Sequence, residues 1–179
     1  MSEQLTELEV VHDQPCPMCG KNTLSLTQAE RDIPFFGKVY VFSMSCVGCK
    51  YHKADIECAE EKDPCKYTLE VDSVDDMNIR IIKSASATVK IPFIATIEST
   101  EASNGYVTNV EGLLNRVKRI IEMARDDSED QADKKKAKNL LKKLMKVRQG
   151  DEKLKIIIED KTGNSAIISE KAKRSSLKK

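Results

Sequence analysis

The chain contains no tryptophan, and aromatic residues make up only 4% of its 179 positions. Carbohydrate grooves and base-stacking platforms both rely on aromatic faces, so neither is expected here. No run approaches the ~20 consecutive apolar residues that a membrane-spanning helix requires. Residues Met1 to Gln14 are polar and acidic and carry no signal-peptide core. A cytoplasmic protein without a membrane partner is the expectation. The local signatures of enzymes are missing as well: there is no nucleophile elbow and no phosphate-cradling glycine loop. The carboxylates Asp126, Asp127, Glu129 and Asp130 form a charge run that a solvated, helix-linking loop explains without catalysis. No internal repeat is visible.

What is present is an ordinary share of apolar residues, 40%, and of charged ones, 33%. That excludes both a fully disordered chain and a membrane protein. The length suits one domain, or a small module joined to a medium one, and lets roughly 70% of the unfolded surface be buried. The net charge of +1 hides an asymmetry. Residues 1–90 carry 10 Lys and Arg against 15 Asp and Glu, and residues 91–179 carry 20 against 14. The acidic half would be repelled by nucleic acid, whereas the basic half could meet an acidic surface, protein or RNA.

The strongest motif is Cys16-x-x-Cys19 followed, after 26 residues, by Cys46-x-x-Cys49. Each Cys-x-x-Cys turn can aim two thiolates at one metal from a tight knuckle, and the interval is long enough for a β-hairpin that brings the knuckles together. Gly20 and Gly48 suit the crowded backbone there. Four thiolates in tetrahedral geometry favour one Zn²⁺ at about 2.3 Å per bond, with no ligand position open for water, so the site is expected to be structural. A rubredoxin-like iron uses the same ligands. Two redox dithiols fit less well, for lack of a thioredoxin-like βαβ context. His52 is a spare candidate ligand or an exposed side chain. Cys58 and Cys65 match no zinc knuckle and are either a disulfide or free thiols.

Around this motif the patterning predicts an order of elements. Residues 1–14 read as an extension and 15–54 as the ribbon, with strands at Thr23–Gln28 and Lys38–Ser45. Residues 55–66 read as a linker. Alternation then predicts strands at 67–71, 77–81, 87–91 and 93–98. At about 109–149 the period changes to that of a helical hairpin, opened by capping-box spacing at Thr108 and Glu111 and closed by Gly150. Strand character returns at 154–158 and 165–168, across a turn at Lys161-Thr162-Gly163-Asn164. Residues 171–179 hold five Lys and Arg without an apolar face and read as a disordered basic tail. The repeated short strands of 67–170 suggest an antiparallel sandwich or barrel.

Several longer strings add to the four cysteines. They include Ile33-Pro34-Phe35-Phe36, Val41-Phe42-Ser43-Met44-Ser45-Cys46 and Lys66-Tyr67-Thr68-Leu69-Glu70-Val71. Further on come Ile82-Lys83-Ser84-Ala85-Ser86-Ala87-Thr88-Val89-Lys90-Ile91-Pro92, Thr108-Asn109-Val110-Glu111-Gly112-Leu113-Leu114 and Asp160-Lys161-Thr162-Gly163-Asn164-Ser165. In this order they resemble the ZPR-type zinc-finger protein family, over about Cys16 to Ile168. Eukaryotic members carry two tandem ribbon-plus-β-domain units, whereas this chain has one and so resembles archaeal members. The resemblance implies a mainly β fold with some α: a four-cysteine zinc ribbon followed by a double-stranded β-helix-like domain carrying a helical hairpin insertion.

The eukaryotic members bind translation elongation factor 1-alpha and receptor tyrosine kinases. The resemblance therefore implies a non-enzymatic protein-binding module, with an elongation factor 1-alpha-type GTPase as partner and no small-molecule substrate. Phe35 and Phe36, beside Gly37, are candidate partner contacts or else pack the ribbon against the β-domain. The alternative function is a zinc-ribbon protein that binds RNA through its basic half.

Overall fold

A computed structural model describes residues 8–34, 36–60 and 62–177. Strands β1 (Leu8–Pro15), β2 (Asn22–Ile33), β3 (Gly37–Cys46) and β4 (His52–Cys58) form an antiparallel four-stranded sheet in sequence order. β2 and β3 are paired along their whole shared length, from Leu24 opposite Cys46 to Ile33 opposite Gly37. This register carries the second knuckle, at the end of β3, back to the level of the first.

The second unit holds two sheets. Strands β5 (Cys65–Val71), β7 (Thr88–Ile91), β8 (Ala95–Ile97), β10 (Leu154–Asp160) and β12 (Lys173–Ser176) lie in the order β12-β5-β10-β7-β8. Strands β6 (Arg80–Lys83), β9 (Tyr106–Asn109) and β11 (Ala166–Ile168) lie in the order β11-β6-β9. The central strand β10 shows why the sequence folds this way: Leu154, Ile156, Ile158 and Asp160 alternate into the interior while Lys155 and Ile157 face outward. One continuous apolar core joins residues of both sheets to Leu113, Leu114 and Val117 of α1 (Val110–Asp127) and Leu144 and Val147 of α2 (Gln131–Gln149). Gly150 caps α2 in a left-handed conformation, as its sequence position predicts.

The observed boundaries correct several expectations. The supposed N-terminal extension includes β1, which pairs with β2 and so belongs to the ribbon sheet. The supposed linker is strand at both ends: β4 runs to Cys58, β5 starts at Cys65, and Ile56 is fully buried. Residues 77–81 are not one strand. Asp76 accepts the backbone N–H groups of Asp72 and Ser73 at 2.9 and 3.1 Å and folds Asp75–Asn78 into a 3-10 turn, so β6 begins only at Arg80. Helix α1 is capped by Asn109, which accepts from Gly112 N at 2.8 Å. Glu111 instead pairs with Arg148 across the hairpin at 2.5 Å. The basic tail is not disordered over 173–176: β12 adds to the edge of β5 through its backbone, with every side chain exposed.

Ribbon and β-domain meet in a packed joint. Ile33, Val39 and Ile56 of the ribbon share an apolar cluster with Ile82 and Ala166, and Phe36 packs against it. Around the cluster, Gly105 N donates to Ala54 O at 2.9 Å, Ala54 N to Asn104 Oδ1 at 2.8 Å, and Ala85 N to Asp55 Oδ1 at 2.7 Å. Gly105 is required by this approach, because a Cβ there would lie 2.5 Å from Asp55 Oδ1.

Candidate metal centre

The two knuckles are built on one hydrogen-bonding plan. Gly20 N donates to Cys16 O at 2.8 Å, and Lys50 N donates to Cys46 O at 3.0 Å. Cys16 N donates to Lys21 O and Cys46 N to Tyr51 O, each at 2.9 Å. The residue after each second cysteine adopts positive φ: 69° at Gly20 and 63° at Lys50. Glycine is thus used at only one of two equivalent positions. Gly48 serves another purpose, since a Cβ there would lie 2.8 Å from Thr23 Oγ1.

The sulfurs of Cys16, Cys19, Cys46 and Cys49 lie within 4.8 Å of one another. Cys16 Sγ and Cys49 Sγ are 3.7 Å apart, and Cys19 Sγ and Cys46 Sγ are 3.8 Å apart. A tetrahedron with metal–sulfur bonds of about 2.3 Å has edges of about 3.8 Å, whereas a disulfide would bring two sulfurs to about 2.05 Å. The spacing therefore fits a shared ion, and the four cysteines are free of disulfides. Leu24, Cys16 and Cys46 are buried beneath it, flanked by Leu26, Met44 and Tyr51.

The electrostatics suit a bound cation. Thr23 Oγ1 lies 3.2 Å from Cys46 Sγ. That contact, with the hydrogen bond from the Cys49 backbone, lowers the Cys46 thiol to about 6. At Cys49 the Tyr51 backbone N–H pulls the same way, but burial and the sulfurs of Cys46, Cys16 and Cys19 outweigh it and push that thiol up to about 12. Without a metal the quartet readily becomes an anion once and then resists further charge. A divalent ion removes that resistance by neutralising the thiolates and cross-linking the two knuckles. All four thiolates are used, which makes the site structural.

The other candidates fall outside the quartet. His52 Nδ1 pairs with Ser45 Oγ at 3.0 Å, and His12 Nδ1 with Ser25 Oγ at 3.0 Å. Cys58 and Cys65 are free thiols, half-buried and buried, both pushed up by burial. Phe36 is half-buried at the joint, with Lys62 Nζ 3.5 Å from its ring centroid and donating to its carbonyl at 2.8 Å. Phe35 lies outside the described residues. Sequence reasoning missed the Thr23 contact to Cys46, which depends on register. It also missed the exposed apolar residues within the knuckles, Met18 and Val47, which are 69% and 70% exposed.

Comparison with known proteins agrees with this geometry. Residues 9–64 match the ZPR1 zinc-finger domain and residues 75–178 the ZPR1 jelly-roll domain, the latter being the double-stranded β-helix expected above. A ZPR1-like protein of Methanocaldococcus jannaschii is 38% identical over 165 residues, which cover 91% of this chain and 83% of that one. The zinc finger protein ZPR1 of Homo sapiens is 31% identical over 92% of this chain but only 36% of its own length. The zinc finger chaperone zpr1 of Schizosaccharomyces pombe is 30% identical over 85% of this chain and 33% of its own. This chain thus corresponds to about a third of the two eukaryotic proteins and to most of the archaeal one. The donor set alone suits zinc or iron; together with these matches it is a structural zinc site, and the chain belongs to the ZPR1 zinc-finger protein family.

Proposed function

We propose that this protein is a non-enzymatic docking module of the cytoplasm that binds or chaperones an elongation factor 1-alpha-type GTPase. The observation that carries this reading is the ribbon tip. Each knuckle places one exposed apolar side chain, Met18 or Val47, between its two cysteines, so the ion that organises the turns also fixes an apolar pair on the surface. Tips of this kind suit a partner's apolar patch, because the surface is rigid before binding and loses little entropy on docking. A second surface lies on the helical hairpin. A groove of about 570 Å³ is floored by Leu114, Leu141 and Leu144 and rimmed by Lys118, Lys142 and Arg148. Phe36, beside Tyr67, Ile167 and Ile168 in a groove of about 410 Å³, would be a secondary contact. The name of the fission-yeast relative, a zinc finger chaperone, supports the same class of activity.

The test is capture of a purified archaeal elongation factor 1-alpha-type GTPase by the zinc-loaded full chain, with and without Met18→Asp and Val47→Asp together. Capture should fall at least tenfold in the double variant while zinc content stays at one ion per chain. Undiminished capture would remove the ribbon tip from the interface. If no GTPase is captured but RNA is retained and then lost steeply with added salt, the reading would pass to the basic outer face of α2.

A further inference from the structure

Helix α2 carries seven Lys, one Arg and a single Asp in 19 residues. Its apolar stripe, Ala137, Leu144 and Val147, is buried in the core it shares with α1 and the jelly roll. At 3.6 residues per turn, Lys135, Lys138, Lys142 and Lys146 fall within about 80° of one another, on the side that points away from this stripe. All four are exposed. At 1.5 Å per residue they span about 16 Å along the axis. Gln131, Asn139, Met145 and Gln149 complete the face, and Asp133 falls on the opposite side.

These charges are not neutralised within the fold. Among the described residues none of the four lysines joins an ion pair, whereas Lys143 pairs with Glu152 at 3.3 Å and Arg148 with Glu111 at 2.5 Å. Lys134, nearer the start of the helix, sits in the field of Asp126. Like charges on successive turns repel and weaken a helix. Packing needs only the buried stripe, so the four lysines are not explained by the fold. A basic face of this kind suits a polyanion.

The chemistry of the face narrows the class. Lysine is depleted from protein–protein interfaces, whose centres rely on buried apolar anchors, and the only large apolar side chain on this face is Met145. A phosphate backbone is held by such cations without an apolar anchor. Single strands are held by aromatic stacking as well, and α2 has no aromatic residue. A helix lying flat on its own domain does not reach into the major groove of B-form DNA, which is how helices read that duplex. A-form RNA has a narrow major groove, which brings its two phosphate rows together and concentrates negative charge along the edges.

We infer that the outer face of α2 binds the phosphate backbone of duplex RNA, without reading its sequence, through Lys135, Lys138, Lys142 and Lys146. This adds a second ligand to the docking function proposed above. It uses neither the ribbon tip nor the apolar floor of the hairpin groove, with which it shares only Lys142 and Met145. Failure of one reading therefore leaves the other standing.

The experiment is fluorescence anisotropy of a labelled RNA duplex of about 20 base pairs, titrated with the zinc-loaded full chain from about 50 to about 200 mM KCl. With about four phosphates neutralised, log affinity should fall against log salt with a slope of about −3 to −4, roughly a hundredfold loss across this range. Two unrelated duplex sequences should bind equally. Lys138→Gln and Lys142→Gln should each weaken binding several-fold and reduce the slope by about 1. Replacing all four lysines with Gln, a comparable helix former, should abolish binding while zinc stays at one ion per chain. Should that variant unfold, the single variants and the salt series still decide. Lys136→Gln removes the same charge from the flank of the helix and should leave the slope unchanged; an equal drop there would mean a diffuse charge effect and overturn the inference. Single-stranded RNA and duplex DNA should bind several-fold more weakly than duplex RNA. Polyglutamate, phosphatidylserine vesicles or duplex DNA bound as tightly as duplex RNA would assign the face to an acidic protein, a membrane or DNA instead. Binding that ignores salt, or that survives in the fourfold variant, would equally overturn the inference.

Discussion

The ribbon's four strands enclose two small apolar clusters, one beneath the sulfurs and one borrowed from the joint, whereas the jelly roll and its hairpin share one continuous core. Both units are antiparallel β-structure of similar patterning, yet what holds them differs. In the ribbon, β1 has only exposed or half-buried residues, among them Leu8, Val10 and Val11, and the sheet's free end is tied by sulfur rather than by packing. In the jelly roll, Leu69, Ile81, Val89, Leu113, Ile156 and Ile158 are completely shielded from solvent. A metal ion therefore does in one half what burial does in the other. Structural zinc supplies apparent folding free energy of about 10–16 kcal/mol in small modules, enough to replace a core the ribbon is too thin to build.

The largest expected effect tests this division directly. Chelation of zinc at neutral pH, or Cys46→Ser, should abolish amide protection in β1–β4 while β5, β7 and β10 stay protected, as read by hydrogen exchange on the full chain. Acidification should do the same, because protons compete with the metal for the thiolates and the ion leaves as pH falls. If both halves lose protection together, the joint is strong enough to make the chain one cooperative unit, and the contrast between the halves is wrong.

The converse substitution is Ile156→Ala, at the centre of β10 and opposite Leu69. A buried isoleucine truncated to alanine costs about 2–5 kcal/mol through lost transfer energy and the cavity left behind. The main denaturation midpoint should fall accordingly, with zinc bound at one ion per chain throughout. Loss of zinc in this variant would mean that the ribbon leans on the jelly-roll core.

A third measurement concerns charge rather than packing. Asp160 is wholly buried and accepts from Ser165 Oγ at 2.5 Å, Ser84 Oγ at 2.7 Å, and the backbone N and Oγ1 of Thr162, each at 2.8 Å. Burial alone would push its carboxyl up, but these hydrogen bonds outweigh it and hold the group below the ordinary aspartate range. A depressed folded-state pKa means that the ionised group adds stability above its unfolded value of about 3.9, and that this is lost as pH falls through the lower folded value. Asp160→Asn should therefore cost about 1–3 kcal/mol at pH 7 and flatten the decline in jelly-roll stability below pH 4. An unchanged acid limb would show that the decline comes from elsewhere, with Asp76, held at about 2 beside Lys171, the next group to test.

The sequence makes local chemistry legible and long-range chemistry obscure. The knuckles, the change of period into α1 and α2, Gly150, and the alternation of β10 are readable because each pattern lies within one segment. The strand β12 is not: Lys173-Arg174-Ser175-Ser176 has no apolar side, and only the exposed edge of β5 makes it a strand. The 3-10 turn at Asp75–Asn78 depends on Asp76 reaching back to two backbone groups, which patterning at 77–81 hides. The cavity of about 330 Å³ at the joint is invisible for a stronger reason, since Val41 of the ribbon and Val107 of β9 line one space only once both sheets exist.

The smallest expected effect has the opposite sign and sits at one residue of the jelly roll. Phe93 lies in the turn between β7 and β8, where Ile94 N donates to Ile91 O at 3.0 Å, and it takes φ 64° with 94% of its surface exposed. Pro92 sets the first corner of such a turn, and the second corner is one that glycine normally fills. A bulky residue held there costs on the order of 1–2 kcal/mol, and so exposed a ring recovers almost nothing from packing. Phe93→Gly removes that strain but gives the unfolded chain more freedom, at a cost of about 0.4–1 kcal/mol. The net expectation is a gain of roughly 0.5–1 kcal/mol, or about 1–4 °C in the jelly-roll transition, with the ribbon's zinc-dependent behaviour unchanged. A loss of stability on this substitution would mean that the ring is held by contacts, and that the jelly roll reaches further toward solvent than its burial pattern indicates.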